Sequence, residues 1–435
     1  MIYCPNILIV NTQEIMRRAS GWKNWIQYLT GTLIVIYAFT LPISTTVTDN
    51  LFPFIALLCL FARSSDGSLI QRLFSQPVVL TYVLFFILLL LNAWHSPGTP
   101  HDIWHSLFKY SSFLSAACIM ISFNNDRWRR YAMNAFLGAM MLTLLLSYLK
   151  YYWIHDLFHT RFDQASVFKD HIIQNFLMAI TFFILFYRWQ SKQPHRWLSA
   201  LLIPFVLYNI LFISQGRSGY FIFAALLFYT LAIYLGWRGL LIAFAALSVL
   251  SVLAYSLAPE FNSRVRAIGN DLDQYRQGKI VSSMGIRIQS VKNAYALIKK
   301  KPWIGYGTGS FQAIYATLPV DVTKDTGIMK TAYNNYLNIA VEMGLLGLAF
   351  IILIFWVSWR YSQFLNPEWR YYTRILLISM GLGCMANAWL SDITELHLFT
   401  FFLGLGFANL PAQLALKTQA ASKSESQSHS FNGAN

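Results

Sequence analysis

Apolar residues do not alternate along this chain; they run together. Residues 83–91, Val-Leu-Phe-Phe-Ile-Leu-Leu-Leu-Leu, leave no wet face for a half-buried strand, so the pattern predicts helices that are apolar on every side and excludes a transmembrane β-barrel. A hydrocarbon core about 30 Å thick needs roughly 20 such residues per helix. Windows of this kind lie near 28–46, 47–63, 77–95, 106–123, 131–150, 171–188, 197–214, 219–235, 239–257, 333–359, 371–390 and 394–413, which predicts an all-α integral membrane protein of about twelve spans. One long polar stretch interrupts the series. It divides the chain into an N-terminal transmembrane bundle of about nine helices at 1–257, a large loop at 258–332 with short amphipathic helices, C-terminal transmembrane helices at 333–413 and a polar tail at 414–435 read as disordered.

Composition agrees with the pattern. With 56% hydrophobic residues and only 12% charged ones, the chain lies far from a soluble globular protein. The charges also set an orientation, because Lys and Arg of short loops stay in the cytoplasm. One set of connections carries 15 of them (Arg17, Arg18, Lys23, Arg63, Arg72, Arg127, Arg129, Arg130, Arg188, Lys192, Arg196, Arg238, Arg360, Arg370, Arg374), whereas the opposite set carries 5 (Lys109, Lys150, Arg161, Lys169, Arg217). Both termini are thus expected in the cytoplasm and the 258–332 loop outside. Arg264, Arg266, Arg276, Arg287 and the run Lys299-Lys300-Lys301 lie in that loop, where topology does not require them, so part of the net charge of +15 invites an anionic ligand. Nucleic acid is not the expected partner, since the basic residues are split between the two faces and no nucleic-acid module is recognisable. The four cysteines, Cys4, Cys59, Cys118 and Cys384, have neither zinc-site spacing nor a disulfide-permissive placement. No small-residue cleavage site follows the first apolar span, which reads as a retained helix.

Several outer positions hold polar groups that helix packing alone does not call for. Ser214-Gln215-Gly216-Arg217-Ser218-Gly219-Tyr220 is a glycine-flanked turn whose arginine either serves a function or snorkels to lipid phosphates. Ser283-Met284-Gly285-Ile286-Arg287 opens a predicted amphipathic helix with Ser282 or Ser283 as cap and Ile288, Val291, Tyr295 and Ile298 as its apolar stripe. Arg287 in the first turn opposes the helix dipole, a conflict that an anion shared with the free N–H groups relieves; a solvated arginine is the alternative. The segment from Pro302 to Phe311 carries Gly305, Gly307 and Gly309, but no strand precedes it and no Lys-Ser/Thr follows, so it reads as a glycine-hinged return to the membrane rather than a nucleotide loop. Asn334, Asn338 and Glu342 recur every four residues, with Asn335 beside them, and either line a polar cavity or bond between helices. His171, after Lys169 and Asp170, is a candidate base or an interfacial anchor.

In order and spacing these residues resemble the O-antigen ligase and polymerase superfamily of bacterial inner-membrane glycosyltransferases. The resemblance rests on Gly216-Arg217-Ser218-Gly219-Tyr220, Arg287, Pro302-x-x-Gly305-x-Gly307-x-Gly309-x-Phe311, Asn335-x-Leu337 and Glu342-x-Gly344-x-x-Gly347. It implies an inner-membrane enzyme that moves a glycan from an undecaprenyl-diphosphate-linked donor to a lipid A-core acceptor, with membrane lipids around it and its active site facing the periplasm. Polymerases and protein O-oligosaccharyltransferases share the superfamily, and a transporter is a remote alternative. Arg217 and Arg287 would hold the diphosphate, and Arg264, Arg266, Lys169, Asn335 and Asn338 would help bind substrate. No ATP, metal or other cofactor is implied, because a lipid diphosphate is already a good leaving group. Where the family usually has His-Asn, this chain has Asn334-Asn335, and an amide accepts no proton at neutral pH; His171 or Glu342 would then be the base.

The charge bias predicts that a reporter active only in the periplasm is active when fused within 265–325 and silent at 192 or 425. Activity at 425 would refute an even number of spans.

Overall fold

A computed structural model describes residues 6–61, 74, 76–153, 166–194, 196–214, 216–257, 259–277, 280, 282–319, 329–408 and 410, with side chains left out at 6–20, 259–261, 264, 265, 268, 272 and 283. Every described element is helical. In chain order they are α1 (Asn6–Thr40), α2 (Thr45–Phe61), α3 (Pro77–Ala93), α4 (Pro100–Tyr110), α5 (Ser112–Ser122), α6 (Asp126–Tyr152), α7 (His171–Gln190), α8 (Arg196–Tyr208, continued by a π turn Asn209–Ile213), α9 (Arg217–Leu235) and α10 (Trp237–Leu257). There follow α11 (Pro259–Arg276), α12 (Ser283–Lys300), the short α13 (Phe311–Tyr315), α14 (Asn335–Ser362), α15 (Pro367–Ala386), a 3-10 turn (Trp389–Ser391) and α16 (Ile393–Phe407).

The predicted windows all contain helix, but helix length does not carry the count of twelve spans. Among the described residues six helices are long and apolar enough to cross a membrane: α6, α7, α8 with its π turn, α9, α10 and α14. Three further apolar helices, α2, α3 and α16, are shorter. The 106–123 window is in fact two helices meeting at Ser111, of which α5 has 11 residues and so spans about 17 Å, well under the hydrocarbon thickness. Its partner α4 begins outside the window, at Pro100, because the Thr99 side chain accepts from the Asp102 N–H and caps it.

One core joins the first and last parts of the chain. Phe401 of α16 packs on Tyr37 of α1 with ring centroids 4.5 Å apart, and Phe399 meets Phe113 of α5 at 6.5 Å. Arg129, fully buried on α6, is held by Asp126 at 2.6 Å, by the Gly406 carbonyl and by the Trp369 ring at 4.4 Å. Helix α10, by contrast, keeps Leu241, Phe244 and Val252 exposed, as a lipid-facing helix would.

The 302–307 segment is docked on α14. Helix α14 is broken at Gly344 (φ 65, ψ −164), and the backbone of 302–307 supplies the partners that the break would otherwise strand. Tyr306 and Gly307 N–H groups donate to the Val341 and Glu342 carbonyls (3.0 and 2.7 Å), while Leu345 and Leu346 donate to Pro302 and Trp303 (2.7 and 3.2 Å). Unpaired backbone in lipid costs several kcal/mol per group, so a broken membrane helix needs such a partner. A Cβ on Gly344 would stand 2.3 Å from the Trp303 carbonyl carbon, and one on Gly305 (φ 68) 2.5 Å from that of Glu342. The glycine-hinged return read from the sequence is therefore a backbone clasp on α14. Behind it, Ala294, Leu297, Phe311, Tyr315, Ala332 and Val341 form a second small core.

Helix α12 corrects one expectation. Ser282 does cap it, accepting from Gly285 N at 3.1 Å. Its buried face, however, is Ser290, Asn293, Ala294 and Leu297, whereas Val291 and Tyr295 of the expected stripe are exposed. The helix packs through a hydrogen bond from Asn293 to the Tyr315 hydroxyl (2.7 Å), so a polar residue lies on the inner face.

Gly344→Ala should force the clasp apart, through both the left-handed φ and the missing space. The expected outcome is a melting temperature several degrees lower in purified protein; an unchanged value would mean that the clasp contributes nothing.

Candidate active site

A cavity of about 500 Å³ opens at the end of the bundle where the Leu41–Ser44, 387–392 and 329–334 connections meet the start of α7. Its lining includes Arg287, Tyr333, Asn387, Trp389, Asp392, Glu395, Asp170 and His105. Asn387, Trp389, Asp392 and Glu395 come from one stretch of chain, and Arg287, Tyr333, Asp170 and His105 from four others, so the site exists only in the folded chain.

Arg287 reaches from α12 to the C-terminus of α15. Its Nη1 donates to the Ala386 carbonyl at 2.9 Å and its Nη2 to Asn387 Oδ1 at 3.3 Å, and its guanidinium lies 5.4 Å from the centre of the Tyr333 ring. Asn387 in turn donates from Nδ2 to Ser218 Oγ at 2.9 Å, and Ser218 follows Arg217, the first residue of α9. Asn387 thus links Arg287 to the residue next to Arg217. Among the described residues the carboxylate nearest Arg217 is a distant one, Asp271 Oδ2 at 4.0 Å, and the arginine remains one-third exposed. Burial, and secondarily the nearby Arg217 charge, holds the Arg287 pKa below its usual value. Two like charges brought together with so little counter-charge make a receptor for an anion.

Carboxylates line the same cavity as Arg287. Asp392 sits between the 3-10 turn and α16, and burial pushes its pKa up to about 6 against the pull of Lys109, with Asp170 adding to the rise. Glu395, 1% exposed, has one oxygen without a hydrogen-bond partner among the described residues. Lys169 is buried near Glu395 and Asp170, and burial draws its pKa down to about 8. Lys109 Nζ donates to the Ser391 carbonyl at 2.6 Å, and Ser391 Oγ donates to Asn335 Oδ1 at 3.2 Å, which ties α4 and α14 beneath the cavity.

The other sequence candidates are placed as follows. Asn334 is spent on structure: its Oδ1 accepts from the Leu337 N–H (3.1 Å) as N-cap of α14, and its Nδ2 donates to the Met385 carbonyl (2.9 Å). Glu342 is buried against the glycine clasp, where its carboxylate takes hydrogen bonds from backbone of Gly309 and Phe311, and it does not line the cavity. His171 opens α7 between cavity-lining residues without lining the cavity itself. Asn335 and Asn338 are buried, each with one amide atom, Nδ2 and Oδ1 respectively, that has no hydrogen-bond partner among the described residues. Arg266 is exposed on α11, away from the cavity; the Arg264 side chain lies outside the described residues.

Sequence reasoning passed over Tyr333, Asn387, Asp392 and Glu395. A usable signal existed for the last two, because paired carboxylates at the mouth of an apolar span are costly without a role. Tyr333 has φ +50, a conformation that a bulky residue holds only when its surroundings impose it. Nothing in the sequence announces that strain.

Among known proteins, residues 205–352 match the family model described as O-antigen ligase. The matched span runs from the last turn of α8 to the second half of α14 and so contains Arg217, Arg287 and the glycine clasp; the carboxylates and Lys169 lie outside it. No curated protein matches the chain.

Asn334→Ala should lower stability by about 1 kcal/mol through loss of the N-cap. Transferase activity per folded molecule is expected to fall by less than about tenfold, as for a residue outside the chemistry; a loss above about 100-fold with unchanged stability would return Asn334 to the reaction.

Proposed function

We propose, for a chain whose residues 205–352 belong to the O-antigen ligase superfamily of membrane glycosyltransferases, that it is the ligase itself: it joins O-polysaccharide carried on undecaprenyl diphosphate to lipid A-core at the periplasmic face of the inner membrane. The observation that carries this reading is Arg287 lining a cavity of about 500 Å³ while Asn387 links it to Ser218, the residue next to Arg217. A diphosphate leaving group gains negative charge as the glycosidic bond breaks. Two arginines held ready for it stabilise that charge with no reorganisation at the moment of reaction. The donor's lipid tail lies in the bilayer beside them, so the arginines meet the diphosphate at headgroup level.

The acceptor hydroxyl needs somewhere to place its proton. Asn334 is engaged as a helix cap and Glu342 as the anchor of the clasp; of the carboxylates that line the cavity with Arg287, Asp392 is the base we assign. A carboxyl raised to about 6 is ionised at neutral pH yet more basic than an ordinary aspartate. In one step the hydroxyl oxygen bonds to the anomeric carbon from the side opposite the diphosphate, the carbon–phosphate-oxygen bond breaks, Asp392 takes the proton and undecaprenyl diphosphate departs. The outcome is inversion at the anomeric carbon.

The lipopolysaccharide of a deletion strain separates the members of the superfamily: core without polymer indicates the ligase, core with a single repeat a polymerase, and unchanged lipopolysaccharide a protein acceptor. With purified enzyme and lipid-linked donor, Arg217→Ala and Arg287→Ala should abolish transfer while folded protein persists, and Lys at either position should restore it only partly, since a point charge lacks the guanidinium fork. Because the folded pKa of Asp392 is raised, its ionised form is present above about 6 and lost below it. The rate should therefore fall tenfold per unit as pH drops below about 6, and Asp392→Asn should lose about 100- to 10,000-fold together with that pH dependence. Full activity in either alanine variant would remove that arginine from the donor site; an unaltered pH profile in Asp392→Asn would remove the base.

A further inference from the structure

A second cavity, about 410 Å³, lies at the other end of the bundle between α6, α7 and α8. Its shape follows from how α6 and α8 meet. At the end nearer the active site they are zipped together: the Tyr148 hydroxyl donates to the Phe205 carbonyl at 2.9 Å, and the Tyr152 and Tyr208 hydroxyls are 2.6 Å apart. Toward the opposite end the two helices diverge and leave a wedge with α7 as its back wall. The walls are apolar, formed by Leu137, Met141, Leu185, Leu198 and Leu202. Gly138 widens the wedge further, for a Cβ there would meet nothing within 4 Å.

The mouth is charged. Arg130 stands there on the first turn of α6 and is exposed, and Arg188 stands near the end of α7, where its Nε donates to the Tyr372 hydroxyl at 3.4 Å. One carboxylate, Glu368 in the first turn of α15, also lines the mouth, where it accepts from the same Tyr372 hydroxyl at 3.1 Å. Gln193 adds an amide donor. A largely apolar cavity, with Asn134 and Ser199 among its leucines and two guanidinium groups in its lining, suits an amphiphile with an anionic head.

We propose that this wedge binds an anionic diacyl phospholipid of the bilayer, its phosphodiester between Arg130 and Arg188 and an acyl chain along the leucines of α6 and α8. Charge complementarity selects the headgroup and the depth of the slot selects a lipid over a free anion. The lipid would fill space that α6 and α8 leave between them, and so brace the helices that precede α9 and Arg217. This role is separate from glycan transfer and stands whichever acceptor the enzyme serves.

The test uses the full-length protein, delipidated in detergent, with phosphatidylglycerol or phosphatidylcholine of identical chains added and bound lipid counted by native mass spectrometry. Two arginines near a headgroup favour the anionic lipid by roughly 30-fold, and that preference is expected in the wild type. Replacing Arg130→Gln and Arg188→Gln together should reduce it to about threefold or less. Gly138→Phe, whose ring has open space to occupy, should prevent retention of either lipid with the headgroup site intact, and it decides the matter should the double variant fail to fold. Equal retention of the two lipids by the wild type, an undiminished preference in the double variant, or normal retention in Gly138→Phe would overturn the proposal. Displacement of the lipid by millimolar inorganic phosphate would also overturn it, by showing an anion site without a chain-binding slot.

Discussion

The clasp between Gly344 and the 302–307 backbone is the constraint on which the rest of the structure depends. A membrane helix broken in its apolar region leaves carbonyl and N–H groups that lipid cannot satisfy. Here the break is filled by another piece of the same chain, with four backbone hydrogen bonds of 2.7–3.2 Å, and Asn92 Nδ2 adds a bond of 2.9 Å to the Glu342 carbonyl that Gly307 also uses. Thr308 donates to the Leu89 carbonyl at 2.8 Å and extends the clasp to α3. The polar segment is thereby fixed at its C-terminal side to two helices of the bundle. Once 302–311 is fixed, α12 has a single docked position over α14, and Arg287 can reach the end of α15.

That reach brings a cation into a partly buried place beside a second cation. Arg287 is held by neutral partners, a carbonyl, an amide and an aromatic face, while among the described residues the carboxylate nearest Arg217 is Asp271 at 4.0 Å. Such partners fix geometry and leave most of the charge uncompensated. Strain at Tyr333 and the unpaired oxygen of Glu395 belong to the same end of the molecule. Local costs of this kind are tolerated where the surrounding packing over-determines them, and here the aromatic core of α1, α2, α5 and α16 supplies that packing. The position of Asn334 has a similar logic: its side chain secures the start of α14 at the C-terminus of α15, within the same few residues that hold Arg287.

The two cavities differ in chemistry as well as place. The larger collects ionisable groups of both signs around a polar opening, suited to a transfer that moves a proton and stabilises a leaving group. The other is an apolar wedge with charge only at its mouth, suited to holding an amphiphile at rest. Helices α6, α7 and α8 link them, since the same tyrosines that close the wedge lie at the active-site end of the bundle.

Helical class, membrane character and the family domain were legible in the chain because they depend on quantities that are additive along it: runs of apolar residues, the bias of Lys and Arg, and a motif whose glycines and arginines keep their order. Arg217 and Arg287 were legible for the same reason, as polar exceptions in an apolar text. Span number was not, because the break at Ser111 and the 11-residue α5 depend on how helices stack rather than on mean apolarity. Nor were the roles of Asn334 and Glu342, whose spacing by four suggested a shared polar face, although one became a cap and the other a clasp anchor. The reverse holds for Asp392, about 105 positions after Arg287 and unremarkable beside it in sequence, yet lining the same cavity. Periodicity reports which residues share a face of one helix. Which faces meet is decided by packing between helices, where close approach at a glycine and satisfaction of every backbone group in lipid select one arrangement from many.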